Sequence, residues 1–135
     1  MVAPLHLPPS LAELHQLGPW LREALAGHPI EPQLAGIELG VHELLTNIVE
    51  HGQPDSSTTV NLVCVLDEDA ASFTITDHGS AVEPDDVPRP DPDKPQVRGY
   101  GLMIIEQLTD VFDVRRDGDM NTWDLRFPIA TGASI

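Results

Sequence analysis

Glu43 and Asn47 lie four residues apart within the run Gly36 to Gly52. On a helix that spacing stacks the two side chains about one turn from each other. A carboxylate there can take a proton from an attacking hydroxyl. A carboxamide oxygen is a hard ligand suited to Mg²⁺. Further on, Asp77-x-Gly79 closes a strand pattern at Thr76-Asp77-His78-Gly79-Ser80-Ala81. An aspartate at a strand end can accept from an exocyclic amine, and a glycine two residues on leaves room for a flat ring. Gly99-Tyr100-Gly101-Leu102 then opens a helix pattern. Backbone without Cβ atoms can approach a phosphate, and the free amides of a helix N-terminus attract it. Gathered in one pocket, the three stretches would hold the metal, base and phosphates of a nucleotide.

Each stretch alone has a plainer account. A Glu/Asn pair on a helix is commonly a solvated edge, and Asp-x-Gly is a common turn. A lone G-x-G before a helix is weak, and no strand feeds directly into this one, so a Rossmann reading fails. His42 and His51 are not at metal-ligand spacing, and His51 is expected to pack or cap near the helix end. No nucleophile-elbow sequence occurs. The order and spacing of the three stretches carry the argument.

The elements that must position them are legible in the periodicity. Ile37, Val41, Leu44, Leu45 and Ile48 recur as the apolar stripe of an amphipathic helix. Glu43 and Asn47 each precede a stripe residue, so they border it. Pro32 suits the helix start, and Gly52 is expected to end it as an αL cap. Upstream, Val2 to Leu7 reads as a short edge strand. Ser10 and Glu13 form a capping-box pattern ahead of Leu11, Leu14, Leu17, Leu21 and Leu25. Gly18-Pro19 interrupts that repeat and predicts a kinked helix or two short ones.

Thr58 to Leu66 and Ala71 to Thr76 read as a hairpin joined by Asp67-Glu68-Asp69-Ala70, and the second strand delivers Asp77. Val82 to Val97 holds five prolines and five acids, and Arg89, Lys94 and Arg98 lie in it or on its exit. It cannot be a regular element, and the basic residues favour a lid over a spacer. Gly99 to Leu108 is a short helix. Val111 to Arg115 and Thr122 to Phe127 are strands joined by a turn at Asp117-Gly118-Asp119, and the tail from Ala130 frays. These elements predict a two-layer α/β sandwich: a mixed, largely antiparallel sheet covered by helices on one face.

The 135 residues suit one domain with a single core, residues 1–135. Seven basic against 22 acidic residues give a formal charge of −15. Such a surface repels nucleic-acid phosphates and anionic lipid, so neither is expected as a partner. It suits a basic protein partner or simple solubility. The single cysteine, Cys64, sits in a strand pattern and reads as a small buried hydrophobe. Without an internal disulfide, a signal peptide or an apolar run of about 18 residues, a cytoplasmic location is expected.

The ordered set Glu43-x-x-x-Asn47, Asp77-x-Gly79, a variable lid and Gly99-x-Gly101-Leu102 resembles the Bergerat ATP-binding fold of gyrase, histidine kinases and MutL. Within it, Glu43-Leu44-Leu45-Thr46-Asn47-Ile48-Val49-Glu50-His51-Gly52 and Gly101-Leu102-Met103-Ile104-Ile105-Glu106-Gln107-Leu108-Thr109-Asp110 look like the bacterial anti-sigma factor/serine-threonine kinase family. The resemblance covers nearly the whole chain. It implies ATP and Mg²⁺ as ligands, with Asn47 on the metal and Asp77 on the adenine amine. Gly79, Gly99, Gly101 and Leu102 would shape the cleft, and Glu43 would be the catalytic base. Thr122 stands where the family often has a Gly-Thr pair near the adenine. Two positions depart from the pattern: Ala81 replaces a second glycine, and Asn121 replaces the glycine before Thr122. The resemblance implies an anti-sigma factor that sequesters a sigma factor and phosphorylates an antagonist of the STAS type, and homodimerisation is common in the family. Two other functions are open to the same residues: a non-enzymatic nucleotide-gated binding module, or a detached histidine-kinase-type catalytic domain.

Overall fold

A computed structural model describes residues 3–26, 31–82 and 100–129, with side chains for all of these except 31, 32 and 100–102. The strands are β1 (Leu5–Leu7), β2 (Val60–Leu66), β3 (Ala70–Asp77), β4 (Val111–Asp117) and β5 (Met120–Pro128). The helices are α1 (Leu17–Ala24), α2 (Glu31–Asn47) and α3 (Tyr100–Leu108). The strands form one sheet in the order β1-β2-β3-β5-β4, and all of its pairings are antiparallel. Helices cover one face. The expected two-layer α/β sandwich forms, without using a parallel pairing among the described strands.

The α2 stripe is the centre of the core. Ile37, Val41, Leu44, Leu45 and Ile48 are all buried against the sheet residues Phe73, Ile75, Trp123, Leu125 and Phe127. Each such side chain contributes roughly 1.5–3 kcal/mol on burial. Gly40 lets α2 come down close: a Cβ at that position would stand 2.9 Å from Phe127 Cε1. Phe127 in turn meets Phe73 edge-on, with ring centroids 5.6 Å apart. The other face of the sheet is polar at its β4–β5 side, where Arg115 pairs with Asp124 and Arg126 with Asp110. Val63 and Val65 lie exposed on β2.

Three local expectations change. Ser10 does sit at an N-cap with extended backbone, but its side chain makes no capping bond, and Glu13 instead accepts from Gln16 Nε2 at 2.7 Å. A 3₁₀ helix from Leu11 to Gln16 runs directly into α1, so two short helices form. Gly18-Pro19 falls in the first turn of α1. There a missing N–H costs nothing, because first-turn amides have no intrahelical acceptor. At the end of α2 the chain makes a π turn, Ile48–Gly52, and the left-handed residue is Gln53 (φ 47°) rather than Gly52. A π turn holds one residue more than an α turn, which moves the left-handed position one place later. The proline-rich stretch beyond Val82 with its basic residues, Gly99 and the tail from Ala130 lie outside the described residues.

Candidate functional site

Strand alternation brings the site together. Asp77 ends β3 on the face that carries Phe73 and Ile75, and it pairs in register with Asn121 of β5. Trp123 follows Asn121 on that same face, opposite Ile75. Asp77 is 1% exposed, and described donors surround it. Gly79 N–H donates to its Oδ1 at 2.7 Å, Asn121 Nδ2 to Oδ1 at 3.1 Å, and Trp123 Nε1 to Oδ2 at 2.8 Å. An ionised carboxylate offers about four acceptor sites. One is left for a group in the cavity that Asp77 lines.

The turn after Asp77 is fixed from the α2 side. Ser80 N–H donates to Gly52 O at 2.9 Å. A Cβ on Gly79 would lie 2.8 Å from Gly52 O, 2.9 Å from Asp77 Oδ1 and 3.1 Å from Gly52 C. Two of those three atoms are backbone, so glycine is required there by the close approach of two segments. The π turn thus presents the Gly52 carbonyl to the turn after Asp77. Isolated π turns are frequent at functional sites because they re-aim the helix end.

Between these elements lies a cavity of about 220 Å³, walled by Asn47, Ile48, His51 and Gly52 from α2 and its π turn, Asp77 and residues 80–82 beyond β3, and Asn121 and Trp123. Typical small-molecule sites run to roughly 300–1,000 Å³, so this one has room for a base rather than a whole nucleotide. Asn47 is half-buried on its wall. A single carboxamide oxygen fits Mg²⁺, which takes one or two protein oxygens together with substrate phosphates and its own waters. Glu43 is half-buried one turn before Asn47 on α2 and is not among the lining residues.

Residues 7–127 match the model of the histidine kinase-like ATPase domain family. The chain belongs to that family. No curated protein matches it. Among solved structures, it is similar to the RsbU and RsbW domains of Rv1364c from Mycobacterium tuberculosis, at TM-score 0.62 and 20% identity over 96% of this chain and 34% of that one. It is also similar to the histidine kinase domain of the Erythrobacter litoralis EL346 blue-light activated histidine kinase, at TM-score 0.54 and 18% identity over 90% of this chain and 61% of that one. A third is the Acinetobacter baumannii histidine kinase AdeS, at TM-score 0.53 and 13% identity over 97% and 70% of the two chains. At these identities the likeness is one of fold. The chain spans 34% and 61% of the first two neighbours, so it matches a portion of each. Among the described residues no helix is long and apolar enough to cross a membrane.

In this histidine kinase-like ATPase domain, Asn47 and Asp77 share one cavity, and Gly79 lets the turn after Asp77 pack against Gly52. Gly101 and Leu102 fall in the first turn of α3, whose leading amides lack intrahelical acceptors. Gly99 lies outside the described residues. Thr122 is buried, but it alternates to the face opposite Asn121 and Trp123 and does not line the cavity. The position beside Asp77 belongs to Asn121. A signal for this was present: Trp123, Leu125 and Phe127 alternate inward, and counting back by two reaches Asn121. His51, Ala81 and Val82 also wall the cavity. The apolar periodicity pointed to none of these three.

Proposed function

We propose that this domain is an ATP-dependent protein serine/threonine kinase acting as an anti-sigma factor: it sequesters a sigma factor and phosphorylates the antagonist that releases it. The observation that carries the reading is that Asn47 and Asp77 line one cavity, with Glu43 one helical turn before Asn47. Asp77 takes the amine of adenine on its remaining acceptor site. The first-turn amides of α3 face the phosphates, since a domain with few basic side chains must rely on backbone donors. Asn47 would hold Mg²⁺ with the nucleotide's own phosphates, and the ion would supply neutralisation of their charge. Glu43 takes the proton of the substrate hydroxyl as its oxygen bonds to the γ-phosphorus and the bridging bond to ADP breaks. The formal charge of −15 suits basic faces on protein partners. The domain works in the cytoplasm and pairs with a second copy.

One observation favours a second reading. Glu43 stands off the wall of the described cavity, as it would in a nucleotide-gated binder without catalysis. Glu43→Ala separates the two. In radiolabelled transfer from ATP to candidate antagonists encoded beside it, the variant loses about 10²–10⁴-fold in rate, the usual share of a general base. Its calorimetric ATP affinity stays within a small factor of wild type. Equal transfer by both proteins removes Glu43 from catalysis, and no transfer by either to any antagonist leaves the binder.

A further inference from the structure

Among the described arginines, Arg22, Arg115 and Arg126 each face a carboxylate. Arg116 faces oxygens that carry no formal charge. Its Nε donates to Gly118 O at 2.9 Å, and its Nη1 donates to Gly79 O at 2.7 Å and to Asn121 Oδ1 at 3.2 Å. The tight β4–β5 turn makes this reach possible. Gly118 holds φ 63° and returns its carbonyl to the guanidinium, which pins the arginine stem in place. Arg116 is also the register partner of Asn121, directly across the ladder.

We propose that Arg116 is a positioning residue for base recognition: its fork fixes the Asn121 carboxamide and the turn after Asp77, so that the cavity meets a purine with an acceptor and no spare donor. The proposal rests on the nucleotide reading above. With Oδ1 held by Arg116, both Asn121 amide hydrogens are committed, one to Asp77 Oδ1 at 3.1 Å and one to Ser80 O at 2.8 Å. A carboxamide has two N–H hydrogens, so none remains for a ligand. Trp123 Nε1 is likewise committed to Asp77 Oδ2. What Asp77 then offers the cavity is an acceptor, which suits the 6-amino group of adenine. A 6-oxo purine would set oxygen against oxygen there, and an unpaired buried acceptor is costly.

Without Arg116 the carboxamide loses the partner on its oxygen. It can then turn and direct an N–H into the cavity, where a 6-oxo group would accept it. Gly79 O loses its donor in the same step, and the turn that carries Asp77 loosens. Lysine cannot substitute, because a single ammonium does not reproduce the planar fork that spans three oxygens.

The test is calorimetric affinity for ATP and for inosine triphosphate, in wild type, Arg116→Met and Arg116→Lys, with a thermal melt of each. Wild type prefers ATP. Arg116→Met narrows the ATP-over-inosine ratio by about tenfold, the scale of one charge-assisted hydrogen bond. Arg116→Lys narrows it similarly, and both melt within a few degrees of wild type because Arg116 is an exposed residue. Weaker binding of both nucleotides at an unchanged ratio would make Arg116 merely structural and overturn the proposal. A ratio restored by lysine would assign the effect to charge and overturn it too. A wild type that binds neither nucleotide overturns the nucleotide reading itself, which the other outcomes leave standing.

Discussion

Asp67 and Asp77 bracket β3, and each does the same thing with its first oxygen. Asp69 N–H donates to Asp67 Oδ1 at 2.7 Å, and Gly79 N–H donates to Asp77 Oδ1 at 2.7 Å. Both are aspartates closing a turn on the amide two residues ahead. There the likeness ends. Asp67 is exposed and takes a second backbone N–H, from Ala70 at 2.8 Å, on the same oxygen. Asp77 is buried and takes its further donors from side chains of β5. One local motif therefore serves a hairpin at one end of the strand and a cavity wall at the other. The difference is supplied by a strand distant in sequence, since only β5 can bring an amide and an indole to a strand end beneath the helix layer. The glycine teaches the same lesson. The turn itself accepts a side chain, as Asp69 shows, and Gly79 is glycine because Gly52 approaches from α2.

The sharpest way to break this comparison is to remove the buried carboxylate. Asp77→Ala leaves the Trp123 indole N–H without its acceptor and removes one of the two acceptors of the Asn121 amide. An unsatisfied buried donor costs about 1–3 kcal/mol, so the sum is about 3 kcal/mol. Calorimetric melting should show Tm lowered by roughly 10 °C, with ATP binding lost. A variant that melts within a degree or two of wild type would mean that the two aspartates are equivalent turn closers.

Next in size is Gly79→Ala, which probes the approach of α2 to the turn. The added methyl meets the Gly52 carbonyl, and backbone at both ends must shift. Overpacking of this kind costs about 1–3 kcal/mol. The urea midpoint should fall accordingly, and nucleotide affinity should fall with it, because Ser80 and Asp77 move with the turn. Stability lost without any change in ATP affinity would separate the brace from the site.

How much of this was legible in the sequence depends on the range of the interaction. The α2 stripe was, because helix periodicity is local: every one of Ile37, Val41, Leu44, Leu45 and Ile48 is buried. The hairpin strands were, for the same reason at period two. Asp77 and Gly79 were found as a motif, while the atoms that make them matter, Gly52 O and the Trp123 indole, come from elsewhere in the chain. Thr122 matches the family motif by position, but strand alternation decides which face a side chain takes, and it sets Asn121 rather than Thr122 beside Asp77. Arg116 had no signal at all: its partners are carbonyls placed by a turn and a register. The π turn was equally hidden, since nothing in Ile48 to Gly52 marks one residue more per turn.

The smallest effect belongs to Asp67, and its sign can be worked out. The backbone N–H groups of Asp69 and Ala70 hold its carboxyl below the usual carboxylate range, with the Arg126 charge as a lesser cause. A group whose folded value is depressed contributes stability above its unfolded value, and that contribution is lost as pH falls through the folded one. Asp67→Ala should therefore lower Tm at neutral pH by much less than either site variant, because the turn backbone lies open to water. The gap between variant and wild type should close as pH is lowered through the carboxylate range, where wild-type Asp67 takes up its proton. Melting curves of both proteins from neutral to acid pH measure it directly, and ATP affinity at neutral pH should be the same in both. A gap that stays constant with pH would show that Asp67 acts without its charge. A loss of ATP binding would carry the influence of the hairpin across the length of β3 and erase the contrast between its two ends.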